Sequence, residues 1–427
     1  MANLIPTKLS SLGLWLDYIS LTHPNEIEMG LCRVREVYIA LGKPLSDCFV
    51  ITVAGTNGKG STVTLTEAVL LAHGCRVGAY TSPHIQRFNE RIRILGEDVD
   101  ECLLVEAFDE VERARGDIAL TYFEYSTLAA FCVFRHAGLE VCILEIGLGG
   151  RLDAVNVIDS SIAVITNIDI DHQDWLGNDL NSIAREKAAI MRPNKPVFIG
   201  EDMPIIMAKE VRYYKAEAYW YGEDFVYSMK NSQLDLSLAN ISIPNVHSVL
   251  PANNVGLAGA VAVRTLAELG TKGRPVNLSL FAKALSACRP AGRLEYLSKR
   301  PDVLTDVGHN PGAARFLKKF IQQTYPDARL KIAVFSALGD KDYPEIIQIL
   351  NGVFDTWFIA ELDAPRAAKL VSLESKVGRV TKNMLSFSSI EQALSAALEK
   401  ADQKDDVMLV FGSFYVVEAA KSYFETL

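Results

Sequence analysis

Residues 49–61 read FVITVAGTNGKGS. An apolar run, Phe49 to Ala54, meets a loop with glycines at 55, 58 and 60, and a long stretch without proline follows. Strand, glycine loop and helix in that order form the context of a phosphate-binding loop. The usual pattern G-x-x-x-x-G-K-[ST] wants Ser or Thr directly after the lysine. Here Gly60 stands between Lys59 and Ser61. Glycines permit backbone angles closed to other residues. Several N–H groups then converge at a helix N-terminus, where the helix dipole favours an anion. Lys59 adds a mobile cation for outer phosphates, and Ser61 or Thr62 could reach a metal. The segment therefore reads as a nucleotide-phosphate site. The alternative, a structural glycine turn, has no need of Lys59.

Outward from this loop, short apolar runs alternate with helical patterns over about 49–200. Strands are expected at 49–54, 75–80, 140–146, 162–167 and 196–199, and helices at 61–73, 100–115, 123–137 and 179–191. Near-continuous apolar strands separated by helices predict a mostly parallel sheet covered on both faces. Residues 224–243 alternate and hold turn residues, which predicts a small antiparallel excursion. A helix is expected at about 252–269. The stretch CRPAGRLEYLSKRPD (288–302), with two prolines, a glycine and several cations, reads as a junction. Beyond it the alternation restarts, with strands at 303–307, 330–336, 354–360 and 406–411 and helices at 312–324, 343–351, 389–401 and 413–425. The fold class is α/β: a mostly parallel, P-loop-containing sheet domain over 1–297, then a smaller Rossmann-like α/β C-terminal domain over 298–427.

The chain has 427 residues, enough for two or three domains. Its formal net charge of −9 argues against broad nucleic-acid binding, which needs a basic footprint. A local cluster of N–H groups can still bind an anion. The N-terminus lacks the pattern of a signal peptide, and no apolar run approaches the ~20 residues of a membrane span. Seven cysteines, odd in number and without a C-x-x-C pair, read as reduced thiols of a cytoplasmic protein.

Ligands of a parallel sheet bind outside the carboxyl ends of its strands. After 75–80 come Thr81, Ser82, Pro83 and His84; 140–146 contains Glu145 and leads into GLGGRLDA; 162–167 runs into NIDIDHQDW, with Asp169, Asp171 and His172. These are candidate Mg²⁺ ligands. Histidine is an unusual magnesium ligand, so the other role for His172 is to orient a neighbour. Arg151 pairs either with a substrate carboxylate or with Asp153. Lys187 shares a helix face with Ile183, Ile190 and Met191. It either snorkels outward or points into the site, where burial favours its neutral, reactive form. TYFEYST (121–127) opens a helix; Phe123 and Tyr125 suit a core, while Tyr122 and Glu124 suit either the core or a flat aromatic ligand. In the second domain Asp306, His309 and Asn310 stand at a strand end, and KDY (341–343) and FGSFY (411–415) also follow strands.

VAGTNGKGS, YTSPH, LTYFEYST, LEIGLGGRLDAVN, IDIDHQDWLG, IAREKAAI, DVGHNP and FGSFY occur in this order over residues 53–415. This series resembles the bacterial bifunctional dihydrofolate synthase/folylpolyglutamate synthase proteins, Mur-ligase-like ATP-dependent amide ligases. The resemblance spans nearly the whole chain; GTNGKG with EIGLGGRLDA is its specific part. It implies a Mur-ligase central-domain-like fold for the first domain. It also makes GTNGKG the loop variant of these ligases rather than a damaged Walker motif. The implied reaction adds L-glutamate to 7,8-dihydropteroate or to the glutamate tail of reduced folates through an acyl phosphate. Such chemistry needs positioning and charge stabilisation more than a covalent nucleophile.

By the resemblance, Thr56, Asn57, Gly58, Lys59, Gly60 and Ser61 hold ATP, together with Asn254, Arg293 and Asp306. Ser82, Glu145 and His172 match magnesium ligands. Lys187 matches a lysine that is carbamylated in relatives, and CO₂ addition would turn a buried cation into an anion able to hold a second Mg²⁺. His309 matches a position near nucleotide and glutamate. Lys59, Lys187, His172 and His309 form the catalytic set. The acceptor site is matched by Glu28, Met29, Gly30 and Leu31, by Thr121, Tyr122, Phe123 and Glu124, and by Leu152, Asp153 and Ala154. The implied cofactors are ATP and Mg²⁺, with a monovalent cation such as K⁺ as a further candidate. The implied partners are small molecules only, in a cytoplasmic monomer. Three motifs depart from the relatives: E-M-G-L stands for D-L-G-L, GSFY for GSFH and DVGHNP for DVAHNP.

Other readings are a ligase with polyglutamylation activity only, a cell-wall Mur ligase, and a nucleotide-gated binding protein. The phosphate loop begins near residue 55, so no separate UDP-sugar domain of about 100 residues is seen before it. A binding switch would not need the array Lys59, Ser82, Glu145, His172 and Lys187.

Overall fold

A computed structural model describes residues 5–25, 27–230, 233–238, 241–269, 274–401 and 403–427. The chain divides into two units, Met1–Cys288 and Arg289–Leu427. The first is built on strands β1 (Phe49–Ala54), β2 (Val77–Tyr80), β3 (Ile92–Ile94), β4 (Glu97–Asp98), β5 (Val141–Glu145), β6 (Ile162–Ile165), β7 (Pro196–Ile199) and β8 (Glu217–Trp220). Their order is β4-β3-β2-β5-β1-β6-β7-β8. The run from β2 to β8 is parallel, and β3 and β4 add an antiparallel edge.

The apolar strands are continuous because both faces are covered. Val50, Ala54, Cys142, Leu144, Ala163 and Ile165 join one core with Trp15, Val37, Phe108, Phe131 and Ile183 from the helices on that side. Their neighbours Ile51, Val53, Val141, Ile143, Ile162 and Val164 join the opposite core with Val63, Val69, Val261 and Phe281. This alternation of buried faces is what a sheet between two helical layers demands. The second core also takes Tyr227, Leu236 and Ile243 from a three-stranded antiparallel sheet, β9 (Phe225–Lys230), β10 (Gln233–Leu238) and β11 (Ile241–His247). The expected excursion over 224–243 is that sheet; its positions 231, 232, 239 and 240 lie outside the described residues.

Several elements differ from expectation. The helix after the phosphate loop starts at Lys59 rather than 61. The helix expected over 179–191 ends at Ala188, and Ile190 and Met191 stay buried in the turn before Pro193; the residue before proline is steered out of the helical region. The helices Leu12–Ser20, Cys32–Ala40, Ile206–Tyr214 and Leu278–Ala287 and the short strands β3, β4 and β8 are additional.

The second unit carries β12 (Glu295–Lys299), β13 (Asp302–Asp306), β14 (Leu330–Phe335), β15 (Thr356–Ala360), β16 (Met384–Phe387) and β17 (Asp406–Phe411), in the order β12-β13-β17-β14-β15-β16. All pairs are parallel except β12 with β13. Part of the stretch read as a junction is thus an edge strand of this sheet. Among the described residues no helix is long and apolar enough to cross a membrane.

Candidate active site

β1 pairs with β5 on one side and β6 on the other, and β2 lies beyond β5. All four are parallel, so the segments leaving their carboxyl ends stand side by side. In sheet order these are Ser82, Glu145, the phosphate loop and the 167–172 segment.

The loop is held by the segment that follows β6. Thr56 N–H donates to the Asn167 carbonyl at 3.0 Å and Asn57 N–H to Asn167 Oδ1 at 2.8 Å. Thr166 Oγ1 donates to the Asn57 carbonyl at 2.6 Å, and Thr56 Oγ1 donates to the Asp169 carbonyl at 3.0 Å. Gly58 caps the helix Lys59–Ala72 in the left-handed region, φ +83°. A Cβ there would overlap the side chain of Asn254, so Asn254, from the helix Ala252–Glu268, lies directly against the loop. Lys59 Nζ donates to the carbonyls of Gly55 at 3.1 Å and Thr56 at 3.2 Å, which places the ammonium over the loop it belongs to.

Glu145 is 5% exposed, and its Oε2 accepts the Ser82 N–H at 3.2 Å. The same oxygen stands 3.4 Å from where a Cβ of Gly60 would be. Carboxylate, serine and loop are therefore neighbours at the start of a helix. The Glu145 carboxylate is a hard oxygen donor of the kind a divalent cation takes, although among the described residues no group of three or more His, Cys, Asp or Glu side chains gathers to hold a metal. His172 sits at φ +52°, half-exposed, with Nε2 3.9 Å from Asp171 Oδ2.

Lys187 is 4% exposed. Burial, and then the cation of Lys59, push its pKa down to about 7 against the opposing pull of Asp171, Asp153 and Glu186. It points inward rather than snorkelling. Asp153 is buried too. Its carboxylate accepts N–H groups of Leu148 at 2.8 Å and Val155 at 2.9 Å, and burial lifts its pKa to about 6 although those N–H groups and Lys59 hold it down. Arg151 does not pair with Asp153: its Nε donates to Glu186 Oε1 at 2.8 Å. The glycines of 147–150 serve close approach. A Cβ at Gly150 would stand 2.6 Å from the Glu186 carbonyl and 3.1 Å from Lys187 Cα, and one at Gly147 would stand 2.6 Å from the Phe123 ring. Leu152, Asp153 and Ala154 leave this turn, with Asp153 capping a short helical turn at Ala154.

Thr121 and Glu124 form a capping box on the helix Tyr122–Ala137. Thr121 N–H donates to Glu124 Oε2 at 2.8 Å. Tyr122 and Phe123 are half-buried, and Tyr125 is core, as expected. The Arg91 guanidinium lies 5.6 Å from the Tyr122 ring centre and 5.5 Å from that of Phe88. Glu28 accepts hydrogen bonds from Arg33 and, at 3.1 Å, from Asn25 Nδ2. Met29 Cε lies 3.7 Å from where a Cβ of Gly149 would be. Gly30 and Leu31 lead into the helix Cys32–Ala40, with Leu31 as its N-cap.

In the second unit Asp306 ends β13, buried, accepting N–H groups of Gly308 at 2.7 Å and Leu294 at 3.0 Å. Burial raises its pKa, and Arg293 opposes the rise. His309 Nδ1 lies 2.9 Å from the Val307 carbonyl, so it carries the proton there. Phe414 stands near both groups, its ring centre 6.4 Å from that of His309 and 5.4 Å from the Arg293 guanidinium. Asn310 caps the helix Pro311–Thr324.

Two family models match the chain: the Mur ligase middle domain over residues 53–254 and the Mur ligase, glutamate ligase domain, over residues 292–414. The dihydrofolate synthase/folylpolyglutamate synthase of Escherichia coli K12 is 40% identical over 414 residues, 96% of this chain and 95% of that protein. The chain belongs to the dihydrofolate synthase/folylpolyglutamate synthase family. The structures agree. E. coli FolC in complex with DHPP and ADP superposes with a TM-score of 0.92 at 38% identity, covering 99% of each chain. The bifunctional Yersinia pestis protein of this family, complexed with AMPPNP and Mn ion, gives 0.90 at 37% identity, covering 99% of this chain and 100% of that one.

Against this family background, some groups at the site carry no motif and escape sequence reading. Arg33 reaches across 91 positions to Glu124. Arg91 Nε donates to His84 Nδ1 at 2.8 Å, and burial and that cation push the His84 pKa down to about 4. Asn167 holds two loop N–H groups. The one available signal is position: Arg33 and Arg91 lie within about seven residues of a quoted motif, and Asn167 opens the quoted NIDIDHQDW.

Proposed function

We propose that this chain is an ATP-dependent ligase that adds L-glutamate to 7,8-dihydropteroate, giving dihydrofolate, and to the glutamate tail of reduced folates. The observation that carries this reading is the row Ser82, Glu145, phosphate loop and 167–172 segment, with the buried Lys187 within reach of the Lys59 charge, in a chain similar throughout to a dihydrofolate synthase/folylpolyglutamate synthase. ATP and a divalent metal are its cofactors; Mg²⁺ is the metal we assign, and K⁺ a further cation. Ser82, Glu145 and His172 would hold Mg²⁺, which when bound neutralises charge on the transferring phosphoryl group.

The residues divide the work. N–H groups of 56–61 and the Lys59 ammonium hold phosphate oxygens, with Asn254, Arg293 and Asp306 as further nucleotide contacts. Loop 28–31, Thr121 to Glu124 and Leu152 to Ala154 hold the acceptor so that its carboxylate oxygen faces the γ-phosphorus. That oxygen attacks, ADP leaves, and an acyl phosphate forms. The amine of glutamate then attacks the acyl carbon, phosphate leaves, and an amide remains. His309 is assigned to the glutamate end.

Lys187, with a pKa near 7, holds a substantial neutral fraction at neutral pH. Its Nζ can add to CO₂ and lose a proton, and the resulting carbamate is the modification we assign. The reading includes a monomeric, cytoplasmic state and small-molecule partners.

Phosphate release from ATP tests it, with Mg²⁺ and L-glutamate present and either 7,8-dihydropteroate or tetrahydrofolate as acceptor. Turnover on both is expected. Turnover on tetrahydrofolate alone would restrict the chain to polyglutamylation, and glutamate-independent release would overturn the ligase reading.

A further inference from the structure

We infer that Arg33 is a positioning residue of the acceptor site: its guanidinium ties the loop 28–31 to the start of the helix Tyr122–Ala137. The inference rests on the acceptor assignment above but concerns a residue outside it. Arg33 is the second residue of the helix Cys32–Ala40, just after that loop. Nη1 donates to Glu28 Oε1. Nη2 donates to the Glu28 carbonyl at 3.0 Å and to Glu124 Oε1 at 2.9 Å, and Nε donates to Glu124 Oε2 at 3.4 Å. One planar group thus fixes a side chain and a backbone carbonyl on one segment and a carboxylate on another.

The two carboxylates differ in what they can do alone. The Glu124 carboxylate is 5% exposed and already accepts the Thr121 N–H. It is immobile and needs a cation close by. The Glu28 side chain is 40% exposed and would otherwise move with its loop. His23 and Asn25 also contact Glu28, and their neighbour Thr22 donates through Oγ1 to the Leu120 carbonyl at 2.8 Å, but Arg33 is what joins Glu28 directly to the Glu124 carboxylate of the helix. Arg33 is the link from a fixed point to a loop whose next residue, Met29, packs on the glycine turn beside Lys187. Only a forked, bidentate cation spans these acceptors; a lysine ammonium is a point charge and reaches fewer of them.

The test uses the full chain with Arg33→Ala and Arg33→Lys. KM for 7,8-dihydropteroate, ATP and L-glutamate, kcat and Tm are measured, with amide hydrogen exchange over residues 27–31. Misplacement of a bound group by even 1 Å is costly, so Arg33→Ala should raise the acceptor KM about 10-fold or more while the ATP KM stays within about twofold. Arg33→Lys should fall between, and amides 27–31 should exchange faster in both variants. The inference is overturned if the three KM values rise together in step with a fall in Tm, if Arg33→Lys equals the parent, or if exchange at 27–31 is unchanged. If the parent itself turns over neither acceptor, the ligase reading fails, and the exchange measurement alone decides the tie: faster exchange confined to 27–31 upholds it, and unchanged exchange overturns it.

Discussion

Lys187 shows how one residue records its surroundings in its proton affinity. It is buried, it faces the Lys59 cation, and three carboxylates only partly offset both effects. In the unfolded chain its amine titrates near 10.5, and in the fold near 7. Between those values the unfolded state binds the extra proton. Stability from this residue is therefore full above about 10.5 and falls as pH drops toward 7, by at most about 1.4 kcal/mol per pH unit. Lys187→Met removes the titration. In CO₂-free buffer, urea unfolding of parent and variant should show a free-energy difference that shifts toward the parent as pH rises from 7 to 10. Parallel pH profiles would mean that Nζ reaches water and keeps its ordinary affinity. Bicarbonate added at pH 8 should stabilise the parent and leave the variant unchanged, because a carbamate formed only in the fold shifts the equilibrium toward it.

The strand–loop–helix unit of residues 49–72 depends on Gly58 for two separable reasons. Its backbone is left-handed, which costs an L-residue about 1–2 kcal/mol, and its missing Cβ leaves room for Asn254. Gly138, also left-handed at a helix end, has open space where its Cβ would be. Gly138→Ala should lower stability by about 1 kcal/mol and leave turnover intact. Gly58→Ala should lose more stability than that, because its Cβ also meets the Asn254 side chain, and should raise the ATP KM by about 10-fold or more, since it displaces a loop and its neighbour together. Equal KM values in the two variants would separate the loop from the nucleotide.

This element was legible because continuous apolar residues and spaced glycines are local signals, and parallel topology then lines up Ser82, Glu145 and Asp169 by rule. The short strand β4, two exposed acidic residues, and β16, only partly buried, carry no such period and were missed. Pairings were hardest to see. Arg151 could not be assigned to Glu186, 35 positions away, when Asp153 was two positions away. For Glu124 the sequence leaves open the core or a flat aromatic ligand, and gives no sign that its carboxylate closes a capping box and meets Arg33.

At the scale of the molecule, each unit has its own core. The clusters around Trp15 and Phe281 draw only on residues before 289, and the cluster around Val410 only on residues after 289, with Leu297 packed against it. Units with separate cores should fold separately. The place of the cut then matters. A division at 297/298, where sequence composition puts it, passes through β12, which pairs with β13. It also parts Asp306 from Leu294, whose N–H the buried carboxylate accepts, and from Arg293. A division at 288/289 keeps all of these together. Fragments 1–288 and 289–427 should each unfold in a single cooperative urea transition, and 298–427 should be less stable than 289–427, because it loses half an edge strand and leaves a buried carboxylate short of a donor. Fragment 289–427 should release no phosphate from ATP in the presence of acceptor and glutamate, since Lys59, Glu145 and Lys187 lie outside it. A 298–427 fragment as stable as 289–427 would return the boundary to the composition-based position, and turnover by 289–427 alone would overturn the roles proposed for Lys59, Glu145 and Lys187.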